Sequence, residues 1–221
     1  MLTVSHDASS VESDLLKGRL ACPGCRGVLR PWGWARERRV RHGIDVGMQL
    51  RSHCPRRARC TGCSGTHVLL GVELAARRAD TAAVIAAAVE AKTSTGAGHR
   101  PIAAWLGRPA STVRGWLRGF TASAQLIATT FTGLVHRDGA DPARLWPAPA
   151  PTPAAAALAA VSAYASVLGQ RFAVATLAWQ TAGLAAAGPS FFSTTRWHGR
   201  VQHELALMPG LLVGQSGKST G

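Results

Sequence analysis

Two closely spaced cysteine pairs constrain the fold of this chain more than any other feature of its sequence. The first pair lies in CPGC at residues 22–25, and the second lies in CTGC at residues 60–63. Two intervening residues let both thiolates of a pair reach one ion, and two pairs complete a tetrahedral site for zinc. The sequence therefore predicts one zinc ion, with these ligands: Cys22, Cys25, Cys60 and Cys63.

A site of four thiolates leaves no coordination position for water, which predicts a structural role rather than a catalytic one. Metal binding, on the order of 10 kcal/mol, would supply folding free energy that so small a module cannot obtain from its core. A redox dithiol and cysteines without metal are the alternatives. The fifth cysteine, Cys54, is expected to be a free thiol in a strand. It or a neighbouring histidine could replace one ligand; the histidines concerned are His42, His53 and His67.

Cysteines and glycines divide residues 18–74 into short runs that suit strands better than helices. We predict a zinc ribbon of short β-strands here, with Trp32 and Trp34 covering its small core. Residues 1–17 are polar and acidic and show no pattern of an export signal. We therefore expect these residues to be a mobile leader and the protein to be cytoplasmic.

The chain is strongly basic, with 25 Lys and Arg residues against 11 Asp and Glu and a formal net charge of +14. Residues 17–78 alone carry 14 basic and three acidic residues, a net charge of +11. Such a concentration is typical of a surface that binds a polyanion, and double-stranded DNA is the expected partner. Codon usage in a GC-rich genome is the alternative explanation. The arginines of this segment expected to contact phosphate are Arg39, Arg41, Arg56, Arg57 and Arg59.

Residues 75–137 show apolar residues at helical spacing and include HRPIAAWLGRPASTVRGWLRGF at residues 99–120. The apolar residues fall on one side of two short helices, and Gly107 lies in the turn between them. A preceding helix, with Asp80 as its cap, completes a set of three. This spacing predicts a helix-turn-helix DNA-binding domain, and a three-helix core with no role in DNA binding is the alternative. Its predicted core residues are Ile102, Leu106, Val113, Trp116 and Leu117.

The outward face of the third helix is small or basic. Small side chains allow close approach to the major groove, arginines can fork onto guanine, and hydroxyl groups can reach phosphate. The residues expected to contact DNA from this face are Ala110, Ser111, Thr112, Arg114, Gly115 and Arg118. Arg100 and Arg108, on either side of the turn, are expected to add contacts.

The remainder of the chain divides by composition. Residues 138–153 are proline-rich and predict a linker, because no helix continues through so many prolines. Residues 154–209 are rich in alanine at helical spacing and predict a helical region for self-association, as a homodimer, or for binding a partner protein. The longest apolar stretch is interrupted by Gln170 and Arg171, so no membrane segment is expected. Residues 210–221 are expected to be disordered. The predicted fold class is α+β, mainly α.

The order CPGC, LRPWGWAR, RARCTGCSGTHVLL and GHRPIAAWLGRPASTVRGWLRGF resembles a family of uncharacterised proteins from high-GC Gram-positive bacteria that combine a zinc ribbon with a helix-turn-helix. It is also similar, more loosely, to the DNA-binding front halves of insertion-sequence transposases. The resemblance covers about residues 21–120, and it implies the four paired cysteines as ligands and residues 111–118 as a recognition helix. Cys54 and the long RHGIDVGMQLRSH segment depart from the pattern.

A catalytic half is not expected. A transposase of the RNase H type needs three converging carboxylates, and only Asp138, Asp141 and Glu204 follow the predicted DNA-binding domain. The sequence therefore predicts a non-catalytic, sequence-specific DNA-binding protein, either a transcriptional regulator or an accessory protein of a mobile element. The alternatives are a DNA-targeting subunit of a recombinase or transposase whose catalytic domain is on another chain, and a zinc-ribbon adaptor on the transcription machinery.

Overall fold

The computed structural model describes residues 1–139, 141, 147, 149–193 and 197–201. Its strands are β1 (Leu2–Val4), β2 (Leu29–Trp34), β3 (Arg38–His42), β4 (Gln49–His53), β5 (Arg56–Cys60) and β6 (Thr66–Gly71). Its helices are α1 (Ala8–Leu16), α2 (Ala82–Thr95), α3 (His99–Leu106), α4 (Ala110–Asp138), α5 (Pro153–Phe172) and α6 (Trp179–Ala187). The predicted α+β class is confirmed: small sheets of short strands precede five consecutive helices.

The β module, which comprises β1–β6 and α1, contains two sheets. The larger has the strand order β1-β6-β5-β2, in which β1 runs parallel to β6 and the other neighbours are antiparallel. The smaller is the antiparallel hairpin of β3 and β4, joined through a single 3₁₀ turn at Asp45–Gly47. The buried side of this hairpin packs Val40 against Leu70 and Leu74, which joins the two sheets.

The first 17 residues belong to the β module, so the prediction of a mobile leader is wrong. Leu2 and Val4 are buried in β1. Asp7 caps α1 by accepting hydrogen bonds from the amides of residues 9 and 10, and the apolar face of α1 buries Val11 and Leu15 in the core of the sheet. A short apolar strand and a capped amphipathic helix are enough to order a segment whose overall composition is polar.

Trp32 and Trp34 do not cover the core of the module, which corrects a second expectation. Trp32 is 51% exposed and Trp34 is 61% exposed. The core is filled instead by Leu15 of α1 together with Leu29 and Ala58 of the sheet. The α1 helix therefore takes the place that the sequence assigned to the tryptophans.

Helices α2, α3 and α4 bury the predicted apolar positions. Ile102, Leu106, Val113 and Trp116 are all buried, and Leu117 packs at the edge of the same cluster. Gly107 ends α3 in the left-handed region, with φ 63°, where a residue without a Cβ atom is favoured. The N-cap of α2 is residue 81 rather than residue 80, because the carboxylate of residue 80 is engaged elsewhere.

The helix α4 continues through 29 residues to Asp138 and packs against α5. Phe131 of α4 contacts Tyr164 of α5, with ring centroids 5.8 Å apart, and the Tyr164 hydroxyl donates to Asp138 at 2.9 Å. One hydrophobic cluster includes residues of α2 through α6. The buried side of α5 is thus covered by α4 of the same chain.

Within the described residues, α5 is the one helix that is long and apolar enough to cross a membrane by length and composition alone. Nearly half of it is buried inside the protein, which is also the behaviour of a core helix. Part of the predicted linker (residues 140, 142–146 and 148) and the whole of the predicted disordered tail (residues 210–221) lie outside the described residues.

Candidate metal centre and nucleic-acid interface

The two cysteine pairs meet at one end of the larger sheet. The first pair lies in the loop that precedes β2, and the second begins at the last residue of β5. Because β2 and β5 are antiparallel and Leu29 pairs with Cys60, the start of one strand adjoins the end of the other. The sheet register therefore brings the two loops together.

The four Sγ atoms lie within 4.8 Å of one another. Cys22 Sγ is 3.7 Å from Cys63 Sγ, and Cys25 Sγ is 3.4 Å from Cys60 Sγ. In a tetrahedron with metal–sulfur bonds of about 2.3 Å, neighbouring sulfur atoms lie about 3.8 Å apart. The four predicted ligands thus form a cluster that could hold a metal ion.

The two cysteine loops follow the same backbone course. In each loop the amide of the first cysteine donates to the carbonyl of the glycine five residues later, at 2.8 and 2.9 Å. The residue after each pair is left-handed, with φ 62° at Arg26 and 58° at Ser64. A Cβ atom at Gly27 would lie 2.9 Å from Cys60 Sγ, so a glycine is needed there. The sequence signal for this geometry is CxxCxG, present as CPGCRG and CTGCSG, which the cysteine spacing alone does not contain.

Backbone amides of these loops favour the thiolate form. The amides of Gly62 and Cys63 lie 3.3 and 3.5 Å from Cys60 Sγ. The Cys63 amide is the largest of the influences that lower the pKa of Cys60 to about 6. The amide of Gly27 also favours the thiolate of Cys25, but hydrogen bonds to the neighbouring sulfur atoms raise the pKa of Cys25 to about 11. The loop backbone at Cys60 therefore favours the thiolate, which is the form of cysteine that binds a metal cation.

Of the other candidate ligands, His67 lies against the cluster. Its Nε2 atom is 3.3 Å from Cys22 Sγ, and burial lowers the pKa of His67, so the neutral imidazole can donate a hydrogen bond to the sulfur. Cys54 does not join the cluster, because its exposed thiol lies between β4 and β5 and contacts the carbonyl of residue 35. His42 and His53 contact each other on the hairpin, with their Nε2 atoms 2.9 Å apart.

The face predicted to contact DNA is exposed at the start of α4. Ser111, Arg114, Gly115 and Arg118 are exposed, while Ala110 and Thr112 are half-buried. Positions 111, 114, 115 and 118 share one side of a helix, opposite the buried side of the same turns. Arg100 of α3 is also exposed. The sequence contains no acidic residue from 91 to 137, so no carboxylate of this segment neutralises the arginines.

Arg108 does not belong to that surface, which corrects its predicted role. Its side chain is 1% exposed, and its Nε atom donates to the buried Asp80 carboxylate at 2.6 Å. Arg41, also predicted to contact phosphate, donates to both oxygens of Asp80 at 3.0 and 2.7 Å. Asp80 therefore binds two of the predicted DNA-contacting arginines, and it is not the helix cap that the sequence suggested.

The remaining predicted arginines differ in their surroundings. Arg39 and Arg59 are exposed, and Arg57 is half-buried. Arg56 donates to both carboxylate oxygens of Glu12 at 2.8 and 3.1 Å, so part of its charge is neutralised within the protein. Comparison of the chain with protein-family models, with curated proteins and with solved structures finds no match. Function therefore has to be inferred from the chemistry of these two sites.

Proposed function

We propose that this protein is a non-catalytic, zinc-stabilised protein that binds double-stranded DNA in a sequence-specific manner. In this proposal α3 and α4 act as a helix-turn-helix, and α4 enters the major groove. The β module acts as a zinc ribbon that supports the helices and adds phosphate contacts. The observation that carries the proposal is the exposed face of α4, which is small and basic and lies directly after the turn.

The residues of this face suit base recognition in detail. Arg114 and Arg118 are four residues apart and project from the same side of the helix, and each guanidinium can donate two hydrogen bonds to guanine. Gly115 lies between them, and a Cβ atom added there would meet nothing within 4 Å. The absence of a side chain at residue 115 leaves room for the edge of a base pair.

The Asp80 cluster supports the proposal by fixing the hairpin beside the turn. Arg108 donates to Asp80 and, through Nη2, to the carbonyl of Gly43 in the hairpin loop at 2.9 Å. Arg41 of β3 is bound by the same carboxylate. The exposed Arg39 lies two residues before Arg41 on β3 and is therefore carried by the same anchored hairpin. A duplex that received α4 could meet this strand as well.

Zinc is the metal we propose for the four-cysteine cluster. Four thiolates in a tetrahedral arrangement are typical of a structural zinc site, and the amides directed at Cys60 are suited to thiolates bound to a cation. The ion would fasten the loop before β2 to the end of β5 and stabilise the sheet that carries the ribbon arginines. It takes no part in a reaction in this proposal.

The experiment that tests the proposal is selection of bound sequences from a random duplex DNA pool with the full-length, zinc-loaded protein. We expect a defined site to emerge, and its affinity is then measured by fluorescence anisotropy. Replacing Arg114 and Arg118 together by alanine should weaken binding by about 1 to 3 kcal/mol for each lost base contact, or about fivefold or more per contact.

The matched control is the double variant R137A R171A. Both arginines are exposed, the change in net charge is the same, and Arg137 lies about 30 Å along α4 from the proposed reading face. This control should retain most of the specific affinity. Equal losses in the two double variants would show that only net charge matters, and they would refute α4 as the reading element.

A further inference from the structure

The tip of the β3–β4 hairpin, residues 43–50, exposes three apolar side chains. Val46 is 100% exposed, Leu50 is 55% exposed and Met48 is 42% exposed. A single apolar side chain on a surface needs no explanation, but three within five residues form a patch that indicates contact with a partner. The hairpin packs into the β module through a different residue, Val40 of β3. The apolar tip is therefore free to meet another molecule.

Hydrogen bonding and glycine hold the tip in one shape. The amide of Gly47 donates to the carbonyl of Ile44 at 3.0 Å, which closes the 3₁₀ turn that carries Val46. Gly43 has φ 72°, and a Cβ atom there would lie 2.5 Å from the carbonyl oxygen of Gly47, so a glycine is needed. Ile44 packs against the hydrophobic cluster of the helices. The exposed valine is therefore carried by a closed turn that is anchored to the rest of the protein.

The tip lies beside the end of α4 that is proposed to enter the major groove. Arg108 donates through Nη2 to the carbonyl of Gly43 at 2.9 Å, and Arg108 immediately precedes Pro109, the N-cap of α4. In a helix-turn-helix, the helix before the turn crosses the phosphate backbone that borders the major groove. The groove on the other side of that backbone is the minor groove. A duplex that received α4 would therefore have a minor groove next to the hairpin tip.

The charge of the hairpin favours a polyanion as the partner. Residues 38–53 contain four arginines and one aspartate, a net charge of +3 with neutral histidines, and Arg39 and Arg51 are exposed. A second copy of the chain would bring like charges together, which disfavours pairing of two hairpins through the free edge of β4. Duplex DNA offers phosphates to the arginines and base pairs to the apolar tip. Proteins that bind the minor groove frequently insert apolar side chains between base pairs.

We propose that the hairpin tip is a wing that enters the minor groove of duplex DNA beside the major groove read by α4. Val46 and Met48 press against the base pairs and partly unstack one step, and the exposed Arg39 and Arg51 supply contacts to phosphate. This inference rests on the proposed duplex binding by α4 and adds a second, apolar element to it. Because pyrimidine–purine steps such as TA unstack most easily, the wing favours sites that have such a step beside the bases read by α4.

The test uses the full-length, zinc-loaded protein and a duplex of alternating adenine and thymine of about 21 base pairs, or two helical turns. One adenine is replaced by 2-aminopurine, whose fluorescence increases when it loses its stacked neighbours. This duplex provides minor grooves and TA steps whatever sequence α4 reads, and it binds at low salt through its phosphates. Saturating parent protein should increase the 2-aminopurine fluorescence.

The decisive variant is V46S M48S, which removes the apolar wedge and leaves the charge unchanged. Its affinity for the duplex, measured by anisotropy of a fluorescein label, should be at least about tenfold weaker, and it should give no fluorescence increase at saturation. V46L M48L should retain the increase, because leucine preserves an apolar wedge. Circular dichroism and zinc content of V46S M48S should match those of the parent protein, since both side chains are exposed.

The matched control is L16S. Leu16 is also an exposed apolar residue, at 63%, but it lies at the end of α1 and outside the hairpin. This variant should bind and unstack the duplex as the parent protein does.

Three results would overturn the inference. One is equal duplex affinity of V46S M48S and the parent protein, and another is no increase of 2-aminopurine fluorescence with saturating parent protein. The third is a dimeric parent protein and a monomeric V46S M48S in sedimentation velocity, which would assign the tip to an interface between two copies. Failure of the proposed reading by α4 is measured separately. The variant that lacks Arg114 and Arg118 should lose the preference for the selected site over the alternating duplex, whereas V46S M48S should keep it.

Discussion

The carboxylate of Asp80 offers the sharpest test of how the β module and the helices are held together. Its side chain is 2% exposed and that of Arg108 is 1% exposed. Replacing Asp80 by alanine would leave the Arg108 guanidinium buried among carbonyl groups with no counter-charge. Removing one partner of a buried ion pair costs about 3 to 5 kcal/mol. For a chain of this size we expect a decrease in melting temperature of about 6 to 20 °C.

The measurement is urea unfolding of the zinc-loaded protein, followed by circular dichroism. The control is D14A, which removes the exposed pair of Asp14 with Arg19 and should cost less than about 1 kcal/mol. The double variant D80L R108M removes both charges and should be more stable than D80A, because neither partner is then left unpaired in the interior. A loss below 1 kcal/mol in D80A would refute the view that this pair is a buried, coupled contact.

Three further predictions concern the metal, the DNA and the effect of pH. Native mass spectrometry should show one zinc ion per chain, and C60S should lose it and unfold at a lower urea concentration; a folded, metal-free parent protein would contradict the site. Affinity for duplex DNA should fall steeply with salt as counterions are released, with a shallower slope in the variant lacking Arg114 and Arg118; a flat response would exclude phosphate contacts. Burial is the main cause that lowers the pKa of His42 and His53 in the folded protein. Below about pH 6.5 the unfolded chain therefore binds more protons than the folded one. The free energy of unfolding should decrease as the pH falls from about 6.5 towards the pKa values of the folded state. The H42N H53N variant should lose this part of the pH dependence. If its profile of unfolding free energy against pH matched that of the parent protein, the role of these two histidines would be refuted.

Each cysteine pair of the metal cluster could be predicted from the sequence because the geometry within a pair is local, whereas the meeting of the two pairs depends on the register of β2 with β5. Two residues between the cysteines fix how far apart the thiolates of one pair can lie, whatever the rest of the fold does. The buried sides of α3 and α4 were predictable for the same reason, since Ile102, Leu106, Val113 and Trp116 recur at the helical period. The glycines that follow each pair by two residues carry further information of this kind.

The predictions that the structure corrects concern contacts between residues far apart in the sequence. Composition gave no sign that α1 would fill the module core, and the tryptophans of β2 were therefore assigned to it. Likewise, Arg108 has the sequence surroundings of a DNA-contacting arginine, and its burial depends on Asp80, which is 28 residues earlier in the chain. Propensity and spacing do not encode such pairings, because they depend on which surfaces meet in the folded molecule.

The uninterrupted length of α4 limits how this protein can be taken apart. Its first turns carry Arg114 and Arg118, whereas its last turns bury Phe131 against Tyr164 of the next helix. A gene fusion that transferred only residues up to 138 would expose the apolar side of α4 that α5 normally buries, and such a surface is prone to aggregation. The smallest segment that keeps α4 folded therefore has to include α5 and α6. Functional fusions of this protein should have their junctions outside residues 82–187.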